Sequence, residues 1–399
     1  MTPRRIMVVT GSRAEYGLQA NLLRMVEADP DLELQLVVTG THLSPAHGTT
    51  EREIQADGIP VAARVDLAQR GDGAQDIAGA IATGIAGFSA VFCRLAPDIV
   101  VILGDRFEML CPAIAAVPAS LPVAHIAGGQ LTEGTMDDVI RHSLTKMSHL
   151  HFTSTETYGK RIVQLGEEPG RVFVVGSLGL DAILNDPRPD RMEFERATGI
   201  VLDRRALMVT FHPATLDRVP SECQIEEILA ALERRSDVRV IFTMPNADPE
   251  NNLIRERISA FVSRHSDRAS CHESLGRRLY LGALSLVDGV VGNSSSGLIE
   301  APSFGIGTVN VGARQQGRLR PASVVDCAPE REAIAEAIDR ILSSGFRASI
   351  RGLKNPFGDG HAAERILAVL RSCPLDRLAA KRFHDVDFQL DEAFGKVNP

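Results

Sequence analysis

Short aliphatic runs alternate with longer amphipathic segments along most of the chain. Continuous aliphatic runs are typical of strands buried on both faces, and their alternation with helical segments favours parallel sheets. The pattern therefore predicts an α/β fold with helices on both sides of each sheet. The runs are RRIMVVTG, LQLVVTG, DIVVILGD, PVAHIAGG, LHFTST and RVFVVGS in the first half, and ALMVTFHP, VRVIFTMPN, GVVGNSS and GTVNVG in the second.

The alternation breaks between Gly176 and Arg191, where the chain becomes polar and contains prolines, and it restarts at ALMVTFHP. A chain of 399 residues is also too long for one hydrophobic core. We therefore predict two Rossmann-like, doubly wound domains, residues 1–178 and 179–368, with a ligand cleft between them. Residues 369–399 are predicted to form a helix and tail that pack back on the first domain.

Composition and charge are those of an ordinary globular protein. Hydrophobic residues make up 44% and charged residues 24% of the chain, and the formal net charge of -8 argues against nucleic-acid or anionic-membrane partners. Six scattered cysteines without a CxxC pair, and a start that lacks a signal-like apolar region, favour the cytoplasm. The apolar window Met109–Ala127 contains three prolines, so we expect a buried helix and strand rather than a membrane span.

Polar residues follow several of the predicted strands, at the edge of a parallel sheet where ligands bind. In TGSRAEYG, a strand-to-helix turn offers free N–H groups and Arg13 to an anion, unless Arg13 is a solvated loop residue. In VVILGDRFEML, Asp105 follows four aliphatic residues. Either the adjacent Arg106 neutralises Asp105, or Asp105 is partly desolvated and transfers protons.

The segment from His125 to His149 is rich in ionisable residues, but no pair shows the spacing of a metal site. Asp137 and Arg141 are four residues apart and can hold each other on one helical face. Two glycines after the strand, Gly128 and Gly129, instead favour the close approach of a bulky ligand.

In the second half, the strand ends predict a nucleoside-diphosphate site. Three serines precede an expected helix near Gly297, so hydroxyls and unpaired N–H groups converge where a phosphate would bind. Glu300 lies one turn further and can reach a sugar diol. The residues expected at this site are His212, Asn246, Ser294, Ser295, Ser296, Glu300, Arg314, Gln315 and Arg318.

The order of these motifs resembles the UDP-N-acetylglucosamine 2-epimerases, in particular the hydrolysing subgroup that supplies sialic-acid and legionaminic-acid pathways. The resemblance spans about residues 5 to 370 and implies the GT-B architecture, with the substrate between two domains. It implies no cofactor and no metal. The motifs that carry it are TGSRAEYG, LGDRFEM, HIAGG, DDVIRHSLTKMSHLHFTST, GSLGLD, HP, PNAD, GNSSSGLIEAPSFG and NVGARQQGR.

The resemblance implies a stepwise reaction on a UDP-sugar. A base removes the proton on C2, UDP leaves by anti elimination, and the resulting 2-acetamidoglucal takes up water or UDP to give the C2 epimer. Asp105 and Asp137 are the expected acid/base pair, with His125, Arg141 and His212 completing the catalytic set. The residues implied to bind substrate and UDP are Arg13, Arg106, Gln130, Asn246, the three serines, Glu300, Arg314, Gln315 and Arg318.

One departure from the family pattern affects the expected product. Members usually carry a carboxylate within four positions after the HI of HIAGG, where this chain has Ala127 and Gln130. Neither residue can transfer a proton, which favours a product that keeps UDP, or a modified substrate. The alternatives are a 2-epimerase of a modified UDP- or GDP-amino sugar and a GT-B glycosyltransferase, while symmetry favours a homodimer.

Overall fold

Two parallel β-sheets form the centres of the protein in a computed structural model, which describes residues 2–44, 50–71, 73–132, 135–213, 219–244 and 252–387. The first sheet has seven strands in the order β3-β2-β1-β4-β5-β6-β7, and every pairing in it is parallel. Its strands are β1 (Arg4–Thr10), β2 (Leu32–Thr39), β3 (Val61–Val65), β4 (Ile99–Leu103), β5 (Val123–Ile126), β6 (Leu150–Thr153) and β7 (Val172–Val174).

The second sheet has six strands in the order β10-β9-β8-β11-β12-β13, again all parallel. In both sheets the strand order reverses beside the first strand, which opens a crevice at the carboxyl ends of the strands. The strands are β8 (Arg205–Thr210), β9 (Val238–Thr243), β10 (Ala269–His272), β11 (Gly289–Gly292), β12 (Gly307–Val311) and β13 (Val324–Cys327).

Helices cover both faces of each sheet. The first sheet is covered by α1 and α15 on one face and by α3, α4 and α5 on the other, while α9, α10 and α13 oppose α8 and α11 on the second sheet. The predicted doubly wound fold is therefore confirmed. The α-helices are α1 (Arg13–Ala28), α2 (Glu51–Ala56), α3 (Ala74–Leu95), α4 (Leu110–Ala116), α5 (Met136–Met147), α6 (Glu156–Gln164), α7 (Leu178–Asn185), α8 (Arg191–Thr198), α9 (Ser221–Glu233), α10 (Asn252–Arg264), α11 (Gly276–Leu286), α12 (Ser296–Ile299), α13 (Arg331–Leu342), α14 (Ser344–Ser349) and α15 (Ala362–Ser372).

The strands that the sequence pattern does not predict lie at sheet edges. They are β3, β10 and β13, with the sequences VAARV, ASCH and VVDC. An edge strand is less enclosed than a central one, so it accommodates polar residues such as the exposed Arg64 and Asp326. These residues shorten the aliphatic run on which the prediction depends.

Two apolar segments fold against the first sheet. Among the described helices, α3 is the one that is long and apolar enough to cross a membrane by length and composition. Its inner face packs on the sheet through Ala80, Phe88 and Phe92. The window Met109–Ala127 forms α4 and β5, as predicted.

The end of the described chain returns to the first domain. Ile366 and Leu370 of α15 lie in the same core as α1. Beyond the helix, Lys381 Nζ lies 3.0 and 2.9 Å from the two carboxylate oxygens of Glu167 and donates to the carbonyl oxygen of Ser148 at 2.8 Å. These contacts attach the described chain from Ala362 onwards to the first sheet, while the predicted boundary at residue 369 stays a prediction.

The ion pair between Lys381 and Glu167 predicts a pH-dependent stability. Burial raises the pKa of Glu167, but hydrogen bonds from His151, Lys146 and Lys381 outweigh burial and lower this pKa from 4.5 to about 2. The contribution is therefore complete above about pH 4.5 and is lost as the pH falls towards 2. We expect Glu167→Gln to reduce the free energy of unfolding at pH 7 by about 2–3 kcal/mol in urea denaturation.

A matched control is Glu273→Gln, because Glu273 also forms an ion pair, in its case with Arg255, but its side chain is 70% exposed. We expect this change to alter stability by less than about 0.5 kcal/mol. The deficit of Glu167→Gln should disappear near pH 2. A deficit that stays constant between pH 7 and pH 2 would show that the carboxylate charge is not its cause.

Candidate active site

Asp105 lies at the carboxyl end of β4 and is held by a buried arginine. Arg141 Nη2 donates to Asp105 Oδ2, and the Arg141 side chain is 3% exposed. The same guanidinium donates to the carbonyl oxygen of Gln130 at 2.9 Å and to Thr132 Oγ1 at 3.0 Å. Arg141 thereby fixes both the Asp105 carboxylate and the loop that follows β5.

This pairing differs from both pairings suggested by the sequence. Arg106 does not neutralise Asp105 but binds Glu108. Arg141 does not hold Asp137; its nearest carboxylates are Asp105 and, with an Nη1–Oδ1 distance of 3.6 Å, Asp138. Side chains at adjacent positions of a strand end point in different directions. The pairing of β4 with β5, by contrast, brings together segments that are far apart in the sequence.

Asp137 is a half-buried carboxylate in the first turn of α5. Among the described residues it has no hydrogen-bond or ion-pair partner. Burial raises its pKa, the charges of Arg106 and Arg314 lower it, and the charge of Glu108 raises it. A carboxylate with a raised pKa and no fixed partner is well suited to accept a proton near neutral pH.

His125 lies beneath the loop that carries Asp105. It is fully buried, and its Nε2 is 2.7 Å from the carbonyl oxygen of Gly104, next to Asp105. Its Nδ1 is 3.4 Å from Thr145 Oγ1. Burial lowers the pKa of His125 to about 4, so the ring is neutral at pH 7. These contacts suit a positioning role, and the catalytic role expected for His125 stays a prediction.

In the second domain, Asn293 joins the ends of two neighbouring strands. Its side chain accepts from the N–H of His212 at 2.7 Å and donates to the carbonyl oxygen of His212 at 2.8 Å. Its own carbonyl oxygen accepts from Arg314 Nη1 at 2.9 Å and from Gln315 Nε2 at 2.8 Å. Burial, with a further contribution from Arg314, lowers the pKa of His212 to about 4, so a neutral imidazole lies at this edge.

Gly292 allows β11 to reach this position. A Cβ atom at Gly292 would lie 2.0 Å from the carbonyl oxygen of Thr210, and its φ is +131°, so only glycine fits. After Gly292 and Asn293 come the half-buried serines 294–296. The last of these serines begins the single-turn helix α12, and the cap residue Ser295 makes no side-chain capping bond. The expected contribution of a long helix dipole is therefore small, and anion binding depends on hydroxyls, N–H groups and arginines.

Glu300 points its carboxylate into the space beside Gly179. A Cβ atom on Gly179 would lie 2.9 Å from Glu300 Oε1. Glu300 Oε2 is buried without a hydrogen-bond partner. Burial raises the pKa of Glu300. An acceptor in this state is suited to a ligand that brings hydroxyl donors, such as a ribose.

Arg314 and Arg318 form the positive part of the site. Neither has a carboxylate within 4.0 Å among the described residues, and Arg318 Nε is buried without a partner. Burial lowers the pKa of Arg318, and burial together with the charge of Arg318 lowers the pKa of Arg314. Two adjacent guanidinium groups without acidic partners are an anion site.

The two halves of the site face each other across the cleft. The N–H of Leu319 donates to Tyr158 Oη of the first domain at 3.2 Å. The charge of Arg314 lowers the pKa of Asp137, and after burial the charge of Arg318 is the main cause that lowers the pKa of Arg141. The arginines of the second domain therefore lie within electrostatic reach of the polar residues of the first.

Two of the predicted binding residues have protein partners instead of an open position. Arg13 is exposed and pairs with Glu53, with an Nε–Oε1 distance of 2.9 Å. Gln315 is 1% exposed and binds the Asn293 loop, so its predicted ligand contact stays a prediction. A third predicted residue, Asn246, lies outside the described residues.

The sequence profile of the UDP-N-acetylglucosamine 2-epimerase family matches residues 24–371. The chain belongs to this family. The family and the two-domain GT-B fold that the motifs implied are thus confirmed, and the protein is a sugar-nucleotide 2-epimerase by the names of its relatives.

Relatives in this epimerase family match almost the whole chain. The GDP/UDP-N,N'-diacetylbacillosamine 2-epimerase (hydrolyzing) of Campylobacter jejuni is 36% identical and aligns with 97% of this chain and 100% of its own length. The UDP-N,N'-diacetylbacillosamine 2-epimerase (hydrolyzing) of Legionella pneumophila is 35% identical, with 93% and 97% coverage. The crystal structure of the Neisseria meningitidis UDP-GlcNAc 2-epimerase bound to UDP-GlcNAc shares the fold, with a TM-score of 0.80, 17% identity and coverage of 92% and 99%.

Three residues of this epimerase site escaped the sequence reasoning. Asn293 directly precedes the serines at a strand end, and Glu108 lies two residues after Arg106. Both could have been found from the sequence, because they adjoin motifs already assigned to the site. Tyr158 lies in the first turn of α6 and gave no such signal, because its role depends on the approach of the second domain.

The backbone of this epimerase is specialised after β5, at the residues where the motif pattern led us to expect a departure from the family. Ala127 has a φ of +68°, in the left-handed region, and its N–H donates to the carbonyl oxygen of Phe152 at 2.9 Å. A Cβ atom at Gly129 would lie 2.3 Å from the carbonyl oxygen of Tyr158. Such conformations are kept at functional sites, and the half-buried Gln130 follows immediately.

Proposed function

We propose that the protein is a hydrolysing 2-epimerase, which converts a UDP-linked 2-acetamido sugar and water into UDP and the free C2 epimer. The observation that carries this proposal is the placement of Arg314 and Arg318 within electrostatic reach of Asp137 and Arg141. Neither arginine has an acidic partner in the part of the chain that the structure describes. A diphosphate bound to the arginines would present its sugar to the carboxylates of the first domain. The hydrolysing type of the relatives supports release of UDP.

The second domain would hold the UDP. The diphosphate would accept hydrogen bonds from the serine loop 294–296 and from the two arginines. The unpaired oxygen of Glu300 would accept from the ribose hydroxyls. This division leaves the sugar ring at the carboxyl ends of β4 and β5.

The first domain would move the protons. Asp137 takes the proton from C2, the electron pair of that bond forms the C1=C2 double bond, and the bond from C1 to the UDP oxygen breaks. The arginines stabilise the charge that develops on UDP. Water then adds its oxygen to C1 and gives one proton to Asp105, which passes it to C2 on the face opposite to the one that lost its proton. The proton taken by Asp137 is released to solvent. Asp105 is the second proton-transfer group, and Arg141 holds it in place.

The experiment compares UDP-GlcNAc and UDP-N,N'-diacetylbacillosamine in heavy water and identifies sugar and nucleotide products by NMR. We expect release of UDP and deuterium at C2 of the free epimer for at least one of them. The second substrate is included because two relatives carry its name. Absence of C2 exchange with both would contradict an epimerase. Transfer to an added sugar acceptor without exchange would identify a glycosyltransferase.

Gln130 provides a test of the hydration step. Ala127 and Gln130 led to the expectation of a product that keeps UDP, whereas the relatives favour release. Gln130→Glu should raise the ratio of free to UDP-linked product, because it adds an ionisable group where the family usually has one. Product ratios measured by NMR would be compared with Gln130→Met, which removes the amide without adding a charge. An equal ratio in wild type and Gln130→Glu would exclude Gln130 from the hydration step.

We also propose that the protein is cytoplasmic and forms a homodimer. Six free thiols support the cytoplasm, where thiols stay reduced. A homodimer is supported by the prevalence of two-fold symmetry among soluble oligomers, and light scattering would measure it.

A further inference from the structure

Glu108 is a fully buried carboxylate close to the active site. It lies in the 3₁₀ turn Phe107–Met109 that follows β4. Arg106 Nε is 3.1 Å from both Glu108 oxygens, and Arg106 Nη2 is 2.5 Å from Glu108 Oε1. Glu108 thus occupies one whole edge of the Arg106 guanidinium, the bidentate geometry that holds arginine most firmly.

A second buried carboxylate lies against the same guanidinium. Glu15 Oε2 accepts from the N–H of Gly11 at 2.7 Å, and Oε1 is 3.9 Å from Arg106 Nε. Glu15 Oε1 is buried without a hydrogen-bond partner. The group therefore contains two carboxylates and one guanidinium. Burial raises the pKa of Glu15 to about 7. The charge of Glu108 also raises this pKa, while the hydrogen bond from Gly11 and the charge of Arg106 lower it.

Asp137 lies within electrostatic reach of Arg106. The charge of Arg106 acts on Asp137, and that of Asp137 acts on Arg106. Nevertheless, Asp137 forms no ion pair among the described residues, whereas a guanidinium beside a carboxylate normally binds it. Arg106 is bound to Glu108 instead.

We propose that Glu108 is a positioning residue that holds Arg106 away from Asp137 and so keeps the Asp137 carboxylate free to accept a proton. Glu15 supports the same arrangement, because its Oε1 lies 3.9 Å from the Arg106 Nε that Glu108 binds. This inference rests on the proposed function, because it assumes that Asp137 exchanges a proton with the sugar. It assigns a purpose to two buried acids that the proposed reaction does not otherwise use.

The proposal has a defined consequence for the pH profile. The charged groups that act on Asp137 are Arg106 and Arg314, which lower its pKa, and Glu108, which raises it. Neighbouring Asp138 is itself occupied by Thr132, Arg141 and His142. Removing the charge of Glu108 leaves the two arginines unopposed and frees Arg106 to bind Asp137. Both effects lower the pKa of Asp137, so the acid limb of the pH profile should move to lower pH.

The test is Glu108→Gln, which keeps the size of the side chain. We expect kcat to fall by about tenfold or more and the acid limb of kcat/KM to move down by about half a pH unit or more. The affinity for UDP alone, measured by calorimetry, should stay within about twofold, because UDP binds the second domain. Glu108→Asp keeps the charge, so its acid limb should remain at the wild-type position.

Glu51→Gln is the matched control. Glu51 is also a buried first-domain glutamate with one arginine partner, Arg64, but it lies outside the proposed site. We expect its pH profile to match the wild type. If Glu108→Gln also keeps the wild-type profile and kcat, the proposal is wrong although the epimerase function stands. A wild-type protein without C2 exchange would instead overturn the function itself.

Glu15→Gln covers the case in which Glu108→Gln does not fold. It removes the second carboxylate at Arg106 and should shift the acid limb in the same direction by a smaller amount. An unchanged or raised acid limb in this variant would also contradict the proposal.

Discussion

Asp137→Asn is expected to lower kcat by about 10²- to 10⁴-fold, the usual contribution of an acid/base group. The loss follows because an amide of the same shape cannot take the C2 proton. UDP affinity should stay within about twofold, since the residues proposed to hold UDP belong to the second domain. Steady-state kinetics and calorimetry with UDP measure the two effects separately.

Folding should be almost unaffected in this variant, because Asp137 has no partner among the described residues. Its control is Asp76→Asn, another aspartate in the first turn of a first-domain helix, but an exposed one. This control should retain activity. Near-wild-type kcat in Asp137→Asn would remove Asp137 from the reaction, and equal losses in both variants would indicate an indirect effect.

Asp105→Asn should lose both turnover and stability. Arg141 is 2% exposed, and the change removes the charge of its closest carboxylate. Breaking a buried pair in this way costs about 3–5 kcal/mol, and we expect the lower end because Asp138 remains 3.6 Å away. Turnover should fall by about 10²-fold or more. Urea denaturation and C2 exchange measure the two losses.

The double variant Asp105→Asn with Arg141→Met separates the two roles. Methionine removes the unpaired buried charge, so stability should recover while turnover stays low. If turnover recovered together with stability, Asp105 would be a structural residue and not a proton-transfer group.

Most of the fold could be predicted from the sequence because central strands of parallel sheets are buried on both faces. Their aliphatic runs are visible without a structure, as in VVILGD before Asp105. The edge strands β3, β10 and β13 could not be predicted, since residues such as Arg64 and Asp326 interrupt them. A strand buried on both faces has a continuous aliphatic run, which can be recognised in the sequence. An exposed edge strand accepts polar residues that interrupt the run.

The kinds of side chain at the site could also be predicted from the sequence, but the ion pairs that they form could not. Asp105 stands at a strand end in both accounts, whereas its partner Arg141 is 36 residues away in sequence. Local spacing instead suggested Arg106 and Asp137. Side-chain pairing in the site depends on which loops the sheet brings together, and a single sequence contains no direct record of that.

The return of α15 and Lys381 to the first domain affects how the protein is made. The first β-sheet leaves the ribosome early, but α15, which covers one of its faces together with α1, is translated after the second domain. The nascent first domain must therefore wait, with the apolar surface that α15 covers exposed and Glu167 without Lys381, until the second domain has been synthesised. The second domain is continuous in sequence and has no such delay, so it can be the first to reach its final structure.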